Sequence, residues 1–235
     1  RMTILVTGGT GFIGRWVVKE LLNGCHHVYV LDNLSSGKLE NLSEFQKNSK
    51  LKVVKGDIQD EKILSDLFKT KLDVCIHLAA LINVQKSINR PQEALNTNVY
   101  GTLNILERAR NAGTKVVFVS TCMVYDAASG SVPITEKHPT KPASPYAASK
   151  LAAENLVQSY HHAYDLPTAI LRPFNIYGPY QRTDGEGGVI SVFIRCKLEG
   201  KNLNVFGNGT QTRDFLYVED CADFIEKASF SDEVN

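Results

Sequence analysis

The chain has 235 residues, 43% hydrophobic and 22% charged, which is ordinary for a globular enzyme and gives enough length for one sizeable core or a core plus a small lobe. Its 26 Lys and Arg against 25 Asp and Glu leave a formal charge of +1, which excludes the basic footprint of a nucleic-acid binder. With so little net charge, any anionic ligand must be held by a local site, and no apolar run approaches the ~20 residues that a membrane span needs.

Residues 3–7 read as the first strand, and "TILVTGGTGFIGRWVVKEL" continues it into a glycine turn and a helix over 12–22. Gly9, Gly11 and Gly14 fit GxGxxG, while Gly8, Gly11 and Gly14 give two glycine intervals of three. Such glycines let the backbone turn tightly and approach a pyrophosphate, whose charge then sits on the helix N-terminus. The next strand, 28–31, ends at Asp32. A carboxylate there can accept hydrogen bonds from both adenosine ribose hydroxyls and repels a 2′-phosphate. "LDNLSSGK" carries no Arg and Lys38 is its nearest cation, so NAD is favoured over NADP. The plainer alternative for Asp32 is a helix cap. Asp57 in "KGDIQD" can likewise be a cap for a helix beginning near Glu61.

Strands at 52–54, 74–78, 116–120 and 168–171 then alternate with helices at 63–68, 97–112 and 146–164. Several of these strands are almost wholly apolar, as strands buried on both faces are. The alternation predicts an α/β fold with a doubly wound parallel sheet, the Rossmann arrangement. From about Pro173 the pattern changes. "RPFNIYGPYQRTDGEGG" is rich in turn formers, and a helix at 189–198, a short strand near 203–206 and a helix after Val218 follow. We therefore expect a NAD-binding domain over 1–172 and part of a small C-terminal substrate-binding lobe over 173–235. No closing element precedes Asn235, as in a truncated chain. Five cysteines without metal-ligand spacing read as reduced thiols, and with no leader in "RMTILVTGG" the expected location is cytoplasmic.

"SPYAASKLAAENL" places Tyr146 and Lys150 four apart, on one helix face, with Pro145 suited to the helix start. A phenol with a reference pKa near ~10 is a poor base at neutral pH. A neighbouring ammonium and an oxidised nicotinamide would both favour its phenolate. A lone YxxxK is common by chance; the upstream glycine turn and Ser120 and Thr121 at the end of a sheet strand give it weight. Thr121 can hydrogen-bond a sugar hydroxyl and the same phenol oxygen.

With "TGGTGFIG", "DNLSSG", "GDIQD", "HLAA", "NTNVYGTLNILE", "STCMVY", "YAASK", "RPFNIYGP" and "GNGTQTRDFLYVED" in order, the chain resembles the extended short-chain dehydrogenase/reductase family of NAD-dependent nucleotide-sugar epimerases and dehydratases. The resemblance implies a catalytic triad of Thr121, Tyr146 and Lys150. It implies NAD contacts from Gly8, Gly11, Phe12, Ile13, Gly14, Asp32, Asn33, Asp57, Ile58, Leu78, Ala79, Ala80 and Asn98, with Tyr146 and Lys150 beside them. For a nucleotide-sugar substrate it implies Asn175 and Arg213 at the diphosphate, and Gly188, Val189, Asn204, Val205 and Phe206 along the base. Guanidinium binds oxyanions bidentately, so Arg213 also suits phosphate on its own chemistry; the alternative is an ion pair with Asp214 or Glu219. The resemblance further implies a homodimer through the helices at 97–112 and 146–164.

Dehydrating relatives resemble one another in an Asp–Glu pair directly after the threonine, and decarboxylating ones carry a Glu at the second position. Here those positions are Cys122 and Met123. A thioether carries no proton, and a thiol with a reference pKa near ~8.5 is a poor acid for hydroxide departure. Both are expected to pack softly against the ligand. Inversion at C4 needs no base at carbon, so the sequence favours a NAD-dependent 4-epimerase of a UDP-hexose, its N-acetyl derivative or its uronic acid. The alternatives are a dehydratase, decarboxylase or 4-ketoreductase, and, from another class, a non-catalytic NAD-binding sensor. Asp126 is either a turn former or part of the sugar-pocket floor. The histidines, including His138, lack ligand spacing, and no metal is expected.

Overall fold

The computed structural model describes residues 1–184 and 187–233. Six strands, β1 (Thr3–Thr7), β2 (His27–Asp32), β3 (Leu51–Lys55), β4 (Val74–His77), β5 (Lys115–Val119) and β6 (Thr168–Leu171), form one parallel sheet in the order β3-β2-β1-β4-β5-β6. The order reverses between β1 and β4, where Leu5 pairs with Tyr29 on one side and Cys75 on the other. Ligands of open parallel sheets bind at the carboxyl ends of strands at such a switch point.

Alternation along each strand divides the core. Ile4, Val6, Val28, Val30, Val117 and Val119 face one layer, with helix α1 (Phe12–Asn23) and helix α8 (Val218–Phe230) packed on them. Leu5, Leu31 and Cys75 face the other layer, against α2 (Glu61–Leu67) and α5 (Gly101–Ala112). Val116 and Phe118 meet α5 and α6 (Pro145–Tyr164) on that same side. The strands and helices expected over 1–172 are all present.

Between β4 and α5 the chain makes α3 (Val84–Asn89) and α4 (Pro91–Leu95), which the pattern did not reveal, and a π-helical turn at Asn96–Tyr100 that opens the helix expected over 97–112. Beyond β6, three-residue strands β7 (Asn175–Tyr177) and β8 (Phe215–Tyr217) pair in parallel around α7 (Val189–Leu198). The strand expected near 203–206 is absent; that stretch is exposed and irregular. Helix α8 is not lobe material alone: Val218, Cys221, Ala222 and Ile225 are buried in the same cluster as β1 and α1. Of the turn-rich stretch after β6, residues 185–186 lie outside the described residues. No helix among those described is long and apolar enough to cross a membrane.

One buried polar chain crosses the sheet. Thr7 Oγ1 accepts from the N–H groups of Leu78 and Ala79, both at 3.1 Å, so its own proton goes to His77 Nδ1 at 2.6 Å. His77 then carries its proton on Nε2 and donates to Thr102 Oγ1 at 3.0 Å, which donates to the carbonyl of Asn98 at 2.7 Å. Burial holds the His77 pKa down at about 3, so the ring is neutral in the fold. In the unfolded chain it protonates below about pH 6.5. Stability is therefore unaffected above that pH and falls by about 1.4 kcal/mol per unit between there and the folded value. Urea midpoints measured at pH 7, 6 and 5 should decrease in that order; a flat series would remove His77 as the acid-sensitive strut.

Candidate active site

The glycine turn is shaped by contacts that only hydrogen permits. Gly8 has φ +73, and a Cβ there would lie 2.9 Å from Ala79 N. A Cβ on Gly14 would lie 2.2 Å from the Gly8 carbonyl oxygen. Gly11 is different: the one atom near its ideal Cβ is that same oxygen, at 3.3 Å. It caps α1 without a side chain, no acidic residue stands in the first turn, and the first amides are left for an anion.

Asp32, 9% exposed at the end of β2, accepts from Thr10 N at 3.1 Å through one oxygen and from Leu34 N at 2.9 Å through the other. Each oxygen keeps a second lone pair for a hydroxyl. The carboxylate thus ties the glycine turn to the following loop and does not cap a helix. Asp57 is also no helix cap: Asp60 takes that role for α2, accepting from Lys62 N and Ile63 N. Asp57 instead accepts from Asn33 Nδ2 at 2.9 Å.

Twelve expected cofactor residues line a single cavity of about 170 Å³: Gly8, Gly11, Phe12, Ile13, Gly14, Asp32, Asn33, Asp57, Ile58, Leu78, Ala79 and Ala80. It continues into two larger hollows, of about 410 and 720 Å³, through the shared walls Ser35, Ser36 and Ile82. Those three residues were not singled out from sequence, although "LSSG" held the signal for two. Asn98 does not line the cavity. Only 1% exposed, it receives the N–H of Leu81 at 2.8 Å and donates to the Leu81 carbonyl at 3.1 Å and Ser149 Oγ at 2.9 Å. Its side chain is spent on holding the loop behind the cavity, since the π-helical turn points it inward.

Helix α6 brings the other chemistry. Ser144 caps it by accepting from Ala147 N at 3.1 Å, and Pro145 fixes its first turn. Tyr146, 8% exposed, is anchored by its own N–H donating to Ser87 Oγ at 3.0 Å. Lys150, 3% exposed, donates to the Val119 carbonyl at 2.8 Å and lies 4.4 Å from the centre of the Phe118 ring. The ammonium is turned to β5, and burial pushes the Tyr146 phenol up to about 12, offset in part by a hydrogen bond with the Thr121 side chain. Burial pulls Lys150 down to about 8, with Glu154 opposing it. Thr121 Oγ1 accepts from Met123 N at 3.1 Å, leaving its proton for the phenol oxygen.

Cys122 is half-buried and its thiol is raised by burial, which makes it a still weaker acid. Met123 is 42% exposed, open to a neighbour that the chain itself does not provide. Asp126 accepts from Ala127 N through its side chain, and its own N–H donates to the Pro139 carbonyl.

In the lobe, Asn175 donates through both its backbone and its side chain to the Asp214 carbonyl, at 3.2 and 2.9 Å, which sets Arg213 beside β7. Arg213 bonds only the Thr212 carbonyl, at 2.7 Å, and has no acidic partner among the described residues; Glu219 pairs with Lys19. Gly188 and Val189 open α7, and Gln181 beside Gly188 donates to the Ile176 carbonyl at 3.1 Å, tying that turn to β7. Asn204, Val205 and Phe206 stand apart in an exposed loop, Phe206 at 82% exposure. No cluster of metal-ligating side chains occurs among the described residues.

Three comparisons bear on this site. The NAD dependent epimerase/dehydratase family matches residues 4–231. A UDP-glucose 4-epimerase of Mycolicibacterium smegmatis is 40% identical over 234 residues, covering 97% of this chain and 73% of that one. Among solved structures, Pal from Bacillus thuringiensis superposes with a TM-score of 0.96 at 54% identity, over 98% of this chain and 74% of that one. A UDP-glucose 4-epimerase of Thermus thermophilus, solved with NAD, gives a TM-score of 0.90 at 36% identity, over 99% and 76%.

Proposed function

From the premise that this chain belongs to the NAD dependent epimerase/dehydratase family and is a NAD-dependent enzyme, we propose that it is a nucleotide-sugar 4-epimerase. The observation that carries the reading is a buried Tyr146 whose phenol, raised by burial, is lowered in part by the neighbouring Thr121 side chain, together with a turn after Thr121 that holds no carboxylate. NAD, when bound, supplies the acceptor and donor of hydride. Tyr146 takes and returns the proton of the C4 hydroxyl, Thr121 orients that hydroxyl, and the sugar turns between the two transfers. Lys150 supplies positive charge behind the phenol. Asn175 and Arg213 hold the diphosphate, and Gly188, Val189 and the 204–206 loop meet the base. UDP-hexoses, their N-acetyl forms and UDP-uronic acids are the proposed substrates. A homodimer through α5 and α6 and a cytoplasmic location complete the reading.

Acid–base work at C5 or C6, which elimination of water requires, would have to fall to Cys122 and Met123. The thiol, raised above its ordinary value, is a poor acid for hydroxide departure, and the thioether has no proton to give. The test is incubation with UDP-, dTDP-, GDP- and CDP-sugars, followed by NMR and mass analysis of the products. We expect an inverted C4 at unchanged mass. Loss of water or carbon dioxide, or stoichiometric consumption of NADH, would replace epimerisation by another reaction of the family.

A further inference from the structure

Glu154 lies one helical turn beyond Lys150 on α6, so Tyr146, Lys150 and Glu154 succeed one another along one side of the helix. Its side chain is 3% exposed and is held at both oxygens by Arg172, at 2.9 Å from Nε and 2.5 Å from Nη2. Arg172 directly follows β6, whose Leu171 carbonyl accepts from Ser120 N at 2.7 Å, the residue before Thr121. The same guanidinium lies 4.8 Å from the centre of the Tyr125 ring, at the end of the turn that Thr121 opens. One ion pair thus joins the three segments that carry or adjoin Thr121, Tyr146 and Lys150. Replacing a buried ion pair by apolar side chains is often neutral or stabilising, so stability alone is a weak reason for charges in this place.

We propose that Glu154 and Arg172 are a positioning pair whose balanced charges set how readily Tyr146 yields its proton in the NAD-loaded protein. The proposal rests on the reading of Tyr146 as the base. Other titratable groups around this helix face are His77 from β4, Cys122 and Tyr125 from the turn after β5, and Arg213 and Asp214, which reach Cys122 from the exposed side of the lobe. His77 is neutral, the thiol is protonated, and the last two are screened by solvent. Glu154, buried, and Arg172, 20% exposed, are the least screened charges beside Lys150.

The sign follows from charge alone. Glu154→Gln leaves the guanidinium unbalanced and favours phenolate, so Tyr146 should titrate about one pH unit lower. Arg172→Gln leaves the carboxylate unbalanced and should raise the midpoint by about as much. The double variant Glu154→Gln/Arg172→Gln is neutral, and Arg172→Lys keeps the charge; both should stay close to wild type.

The readout is tyrosinate absorbance of the NAD-loaded protein across pH, with Tyr146→Phe subtracted to isolate this phenol. Opposed shifts of the single variants with return in the double variant establish the pair. Shifts in one direction, no shifts, or a double variant as displaced as the singles overturn it. Should Arg172→Gln not fold, Glu154→Gln/Arg172→Lys retains one cation and must titrate below the neutral double variant. A wild-type protein that inverts no sugar, yet shows the opposed shifts, removes the epimerase reading and keeps the pair. An active wild type without them does the reverse.

Discussion

Tyr146→Phe is expected to lower turnover of whichever nucleotide sugar is accepted by roughly 10²–10⁴-fold, the usual share of a positioned general base. NAD should remain bound and the melting temperature should move little. The ring is buried, and its placement depends on the main-chain N–H held by Ser87, which phenylalanine keeps. What is lost is the oxygen that meets Thr121. The same structure says when that oxygen can act. With the ammonium of Lys150 turned to the Val119 carbonyl and burial holding the phenol at about 12, the chain by itself keeps Tyr146 protonated at neutral pH. A positive pyridinium ring beside it would favour the phenolate, so the base should become competent only in the loaded protein. Single-turnover rates with saturating sugar are the check, with NAD occupancy measured separately. A variant within tenfold of wild type would take Tyr146 out of the chemistry.

What the sequence made legible was whatever depends on local geometry. The turn before α1 was readable because close backbone approach admits glycine and little else, and Asp32 because a strand end delivers a carboxylate to a fixed place. The faces of α6 followed from helix period alone. Residues whose meaning depends on distant partners were not legible in this way. Asn98 was named only through the family resemblance; the π-helical turn that points it at Leu81 leaves no compositional trace. Lys150 was placed on the correct face, but its direction is set by a carbonyl on β5. Asp60, and not Asp57, caps α2, a difference of one turn that spacing does not resolve. The lobe strands failed for another reason. β7 and β8 are three residues long and owe their pairing to each other, whereas the apolar run at 203–206, which looked more like a strand, finds no neighbour among the described residues.

The second large effect is expected at the glycines, and it separates two roles that the fingerprint lumps together. A methyl at position 14 would sit 2.2 Å from the Gly8 carbonyl oxygen and 2.7 Å from Gly9 Cα, both backbone atoms that cannot rotate away. Helix α1 would have to lift from the end of β1, disturbing Val17, Val18 and Leu21, which are fully buried against the sheet. Overpacking of this kind costs about 1–3 kcal/mol or more, and at about 2–4 °C per kcal/mol Gly14→Ala should melt several degrees low even without NAD. A methyl at position 11 meets only one oxygen, at 3.3 Å, and otherwise projects into the cavity between the α1 N-terminus and Asp32. Gly11→Ala should therefore melt near wild type in the absence of cofactor, yet bind NAD at least about tenfold more weakly, because the displaced volume is where the pyrophosphate must approach the helix amides. Thermal melts without ligand, paired with NAD titrations, distinguish the two. If Gly14→Ala melts normally, the helix is not seated by that contact. If Gly11→Ala binds NAD as tightly as wild type, the phosphates do not lie over this end of α1, and the cradle assigned to them must be sought elsewhere along the strand ends.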